Sequence, residues 1–145
     1  MLKVRMILLS IFLVFLTITS FAGGDVENQL KDYFNKTAQK VRHANSASEK
    51  RDILNNSFSG LLKAFNATAE MPLSDKDREG INYFKRIIQQ KQYELNGLNG
   101  YEKVSDSNLN QFAQFSMQQF EQSAEYITIS VIALVLIIIL VILLL

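Results

Sequence analysis

The chain has 145 residues, 15 Lys or Arg against 14 Asp or Glu, a formal charge of +1 and no Cys. Near-neutrality argues against nucleic acid as a partner and against broad electrostatic capture of anionic headgroups. The lack of Cys excludes thiol redox chemistry, thiolate metal sites and a disulfide framework, so stability must come from packing.

In chain order, residues 1–22 read as a secretory signal peptide. Lys3 and Arg5 form a positive n-region and residues 6–18 an apolar h-region. Ser20 and Ala22 are the small residues at −3 and −1 of a cleavage site. The competing reading is an uncleaved anchor. Both readings keep Lys3 and Arg5 on the cytoplasmic side and place residues 23–125 on the other.

Helical segments follow. Over 25–43, Val26, Leu30, Phe34, Thr37 and Val41 recur at spacings of three and four, so one stripe is apolar. Over 47–69, Ser46 and Glu49 form a capping-box pattern ahead of Leu54, Phe58, Leu61, Leu62, Phe65 and Ala69, the strongest stripe in the chain. Pro72 stops it. The third helix, 75–96, opens on Ser74 and Asp77, buries Ile81, Phe84, Ile87, Ile88 and Leu95, and closes at Gly97 as a C-cap.

Asn96, Gly97, Asn99 and Gly100 break the pattern, and the flanks do not alternate like strands, so a loop to about residue 106 is expected. The fourth helix starts near Ser107. Leu109, Phe112, Ala113, Ser116, Phe120 and Ser123 fall within one arc. Burial is expected for Leu109, Phe112 and Phe120, and exposure for Gln111, Gln118 and Gln122.

Residues 126–145 carry no charged side chain. As a helix they would cover about 30 Å, the thickness of a bilayer's hydrocarbon core. No Gly or Pro lies between Ser107 and Leu145, so the sequence predicts one unbroken helix, half outside and half within the membrane. Tyr126 stands where an interfacial aromatic belongs. A lipid-anchor signal is the alternative, with Ser123 and Ala124 as small residues, but only Glu125 and Tyr126 separate them from the apolar run, too short a spacer.

The expected fold is therefore all-α: a small up-down bundle of three to four helices over 23–125, with a C-terminal transmembrane helix over 126–145. The chain would be single-pass, with its bulk on the extracytoplasmic side.

No constellation selects a catalytic residue, a cofactor or a metal. Asp75, Asp77, Glu79 and Gly80 match the start of a calcium loop, but Arg86 stands where the bidentate Glu belongs, and acids in a first helical turn serve the dipole equally well. His43, the single His, lacks Cys partners and stands at a helix end. Asn35, Asn55 and Asn66 head glycosylation sequons, usable in a eukaryotic secretory route. Phe115 and Met117 fall off the main arc of the fourth helix and widen its apolar face, marking a partner surface. Two functional classes result. One is a membrane-anchored protein acting through helix–helix contact with a protein partner or further copies of itself, in a structural or accessory role. The other is a carrier of lipid or another apolar ligand within the bundle.

Overall fold

Four apolar stripes at helical spacing need a common interior, and the helices that carry them form one. The computed structural model describes residues 23–69, 71–128, 131, 132, 135, 138 and 139, with side chains from Glu27 onward. Its α-helices are α1 (Gly23–His43), α2 (Ala47–Ala67), α3 (Asp75–Asn96) and α4 (Leu109–Ala124), the last entered through a 3-10 turn at Asp106–Asn108. No strand occurs among the described residues.

The helix ends follow local chemistry. Ser46 Oγ accepts from the Glu49 N–H at 3.1 Å, and Glu49 Oε2 accepts from the Asn45 N–H at 2.8 Å. Ser74 Oγ accepts from the Asp77 N–H at 3.1 Å. Gly97 takes the left-handed conformation (φ 66°) and returns its N–H to the Tyr93 carbonyl, which also accepts from Leu98 at 2.9 Å.

Each helix packs on its chain neighbours, α4 closes against α1, and α2 and α4 meet across the middle. This is an up-down bundle. Its centre is a set of interlocked rings. Phe120 of α4 lies 5.9 Å from Phe34, 5.4 Å from Phe58 and 5.7 Å from Phe84, and Phe84 lies 4.8 Å from Phe65. Such edge-on and tilted pairs add about 0.5–1.5 kcal/mol each beyond the area they bury. The α1–α4 seam is the most extensive, and Ala113, Ser116, Ser123 and Ala124 supply small buried side chains on α4. Leu109 and Phe120 are buried and Gln111, Gln118 and Gln122 exposed, as the periodicity requires, whereas Phe112, expected inside, is only half-buried at the edge of α4 beside the α3–α4 loop.

The unbroken helix from 107 to 145 does not form. Helix α4 ends at Ala124 in a tightened turn: Glu125, Tyr126 and Ile127 donate to the carbonyls of Gln122, Ser123 and Ala124 at 3.2, 3.3 and 3.0 Å. The Thr128 N–H then leaves the ladder and donates to Asp77 Oδ1 of α3 at 3.3 Å. Ile132 donates to the Thr128 carbonyl at 3.1 Å, and residues 131, 132, 135, 138 and 139 are helical again. The cause is tertiary. Gly80 of α3 has no side chain, and a Cβ there would stand 2.3 Å from the Tyr126 carbonyl oxygen. The α3 surface thus admits the turn, and Thr128, a good N-cap residue type, restarts the helix.

Beyond the turn the chain doubles back. Ile127, Thr128 and Ile132 border a depression with Leu30 and Lys31 of α1. Ile139 lies further along, in a groove lined by Tyr33 and Thr37 of α1 and by Ile53 and Gly60 of α2. No described helix is long and apolar enough to cross a membrane. The expected signal segment, 1–22, lies outside the described residues, as does most of 126–145.

Candidate interaction surface

The bundle has two ends. One holds the α3–α4 loop, the other the turn at 125–128. At the loop end, Arg51 of α2 reaches across to close the structure. Its guanidinium donates to the Leu95 carbonyl at 2.7 Å, to the Val104 carbonyl, and to Asp106 Oδ1 at 2.8 Å. Gly97 permits the loop to turn back tightly, since a Cβ there would meet the Lys103 Cβ at 2.8 Å. The Val104 N–H donates to the Glu94 carbonyl at 3.1 Å, so the loop is pinned on both sides.

Against this pinned loop stands Phe115 of α4. Phe112 and Phe115 border a shallow depression with Glu102, Lys103, Val104, Ser105, Asn108 and Gln111. Phe115 is 58% exposed, and the same loop exposes Leu98 and Tyr101. Met117, its companion in the sequence reading, is 3% exposed and sits on the α1 side of α4, bordering Phe34 and Ala38. The two residues therefore part: Phe115 faces outward and Met117 belongs to the α1–α4 seam.

At the opposite end the turn brings polar groups together. Asp77 is nearly buried; its Oδ2 accepts from the Ser74 hydroxyl at 2.8 Å and its Oδ1 from the Thr128 amide. Burial works to raise the Asp77 carboxyl, but the hydrogen bonds from Ser74 and Thr128, with Lys76 nearby, outweigh it and hold the group below the ordinary carboxylate range. A carboxylate depressed in the folded state stabilises that state above its unfolded value, near pH 4, and loses the contribution as pH falls through the folded value. Stability followed by urea unfolding should therefore drop below about pH 4. Asp77→Asn should remove part of that drop, and an unchanged acid limb would show that the turn is not held by this carboxylate. Beside it, Tyr83 and Tyr126 pair at 5.1 Å between ring centres, with Arg86 over the Tyr83 ring at 5.9 Å.

No family model, curated protein or solved structure matches this chain. The remaining sequence-marked residues take ordinary places. Residues 75–80 form the start of α3, with Asp77 engaged as above, and no described group of three or more acidic or His side chains gathers as a metal site. The His43 ring N–H donates to the Gln39 carbonyl at 2.8 Å, in the basic last turn of α1. Asn35 and Asn66 are exposed on their helices. Asn55 is half-buried, and its amide exchanges hydrogen bonds with Asn96 in both directions, at 3.1 and 2.8 Å.

Arg51 was invisible to sequence reading as a structural anchor. Its acceptors lie 44 to 55 residues away, and a lone Arg in an amphipathic helix reads as surface.

Proposed function

We propose that the chain is a membrane-anchored, extracytoplasmic helical protein that acts through protein–protein contact in a structural or accessory role. The observation that carries this reading is Phe115, an exposed aromatic on a pinned edge of a bundle that buries the rings of Phe34, Phe58, Phe65, Phe84 and Phe120. Large aromatics anchor interfaces because they bury much area at small entropic cost. The uncharged run 126–145 and the segment 1–22 support placement at a membrane.

A photo-reactive amino acid at position 115, in intact membranes, should capture a second polypeptide, while the same probe at exposed Gln118 should not. A second copy of the chain and a different protein are told apart by mass spectrometry of the captured species. Only uncoupled monomer at position 115, under conditions that preserve other complexes, would remove this reading. Carriage of an apolar ligand would require the rings of Phe58 and Phe84, both packed on Phe120, to separate from it. No observation favours it.

A further inference from the structure

We propose that the apolar C-terminal segment has two seats, one on the bundle and one in the bilayer, and that the bundle carries a receiving site built for the first. This rests on the membrane reading above and extends it.

The receiving site explains residues that an unbroken helix leaves without a role. Gly80 sits inside α3, where Gly costs about 1 kcal/mol relative to Ala. It is the position over which the Tyr126 backbone passes, and any side chain there would collide with the carbonyl. Asp77 spends one carboxylate oxygen on the Thr128 amide, the first N–H that the broken helix leaves unpaired. Gly60 of α2 opens the far end of the path, with nothing within 4 Å of where its Cβ would be, and Ile139 borders that space. Gly80 and a capping carboxylate thus mark the start of a track along the bundle, and the position of Ile139 marks its far end.

Ile127 and Ile132 border the track at Leu30, Ile139 borders it at Tyr33 and Gly60, and each is at most 8% exposed. These are residues of the run that sequence alone assigns to lipid. In lipid as on the bundle the segment's own aliphatic side chains stay out of water, so the hydrophobic cost of leaving the bundle is confined to the groove it uncovers, at Leu30, Tyr33 and Ile53. That cost, the Asp77–Thr128 bond and the Tyr83–Tyr126 pair favour the bundle, and lipid packing around the freed segment favours the bilayer. A bilayer shifts the population by the difference between these two sets of contacts.

The chain contains no Cys and no Trp, so both reporters can be placed cleanly. Gly60→Cys with Ile139→Cys, joined by a short bismaleimide, holds the segment on the bundle, and Leu143→Trp in the same full-length chain reports lipid contact. Dilution from mild detergent into phosphatidylcholine vesicles containing brominated lipid should quench the Trp severalfold more in the unlinked protein than in the linked one. Gly80→Ala should lower the linking yield and raise quenching of the unlinked chain. Equal quenching of linked and unlinked protein would overturn the two-seat proposal and leave the membrane reading standing. Efficient linking with no quenching of either form would overturn the membrane reading, and the proposal with it. Failure of the two cysteines to link in the absence of lipid would show that the bundle seat is not occupied.

Discussion

Replacing Phe120 with Ala is expected to cost about 3–5 kcal/mol of folding stability. The ring is fully buried and meets Phe34 of α1, Phe58 of α2 and Phe84 of α3, so it joins all four helices at one point. Its loss removes the transfer free energy of a large side chain. It also leaves a cavity that three other rigid rings cannot collapse to fill. Urea unfolding of the full chain in mild detergent, followed by far-ultraviolet circular dichroism, measures it. A loss below about 1 kcal/mol would mean that α4 is a stalk rather than a member of the bundle. Phe115→Ala on the same helix is the control, since an exposed ring should change stability by no more than about 0.5 kcal/mol.

Arg51→Ala should cost about 2–3 kcal/mol, and the greater part should come from the carbonyls rather than the ion pair. The Arg51 side chain is 13% exposed whereas its carboxylate partner Asp106 is 71% exposed, so that pair is screened by water and contributes little. The carbonyls of Leu95 and Val104 lose a charged donor that no neighbouring group replaces in the same geometry. Asp106→Asn should therefore be nearly silent. Arg51→Lys should recover only part of the loss, because an ammonium cannot serve diverging acceptors as the flat guanidinium fork does. If Asp106→Asn destabilises as much as Arg51→Ala, the ion pair rather than the carbonyls holds the loop. The distinction matters for the interaction surface, because the loop that Arg51 pins is the one bordering Phe115.

What could be read from sequence was what is decided within a turn or two of the residue concerned. Ser46, Ser74 and Gly97 act through bonds to positions three or four away, and their helices begin and end where those spacings say. The stripes through Phe34, Phe58, Phe84 and Phe120 are inside for the same reason. A single apolar arc on α4 leaves Met117 outside it, yet Met117 is buried. That helix packs against α1 on one side and α3 on another, so its buried face is wider than one stripe. The break after Ala124 had no local breaker. It depends on a glycine and an aspartate about fifty residues earlier in the chain, and on a surface that exists only once α3 has formed. Phe115 was legible as an off-arc aromatic, but the loop that frames it was not, since Arg51 fixes that loop from another helix.

The fully buried rings of the bundle are all phenylalanine, the chain has no Trp, and none of its five tyrosines is among the fully buried side chains. Tyr33 borders the groove that holds Ile139, with its hydroxyl 3.3 Å from Ser57 Oγ, and Tyr83 and Tyr126 sit on either side of the turn. Tyr93 and Tyr101 belong to the last turn of α3 and the loop after it, so replacing both with Phe leaves tyrosine emission to Tyr33, Tyr83 and Tyr126 beside the track. Emission changes in that variant, set against far-ultraviolet circular dichroism of the helices, separate loosening of the tail from loss of the fold.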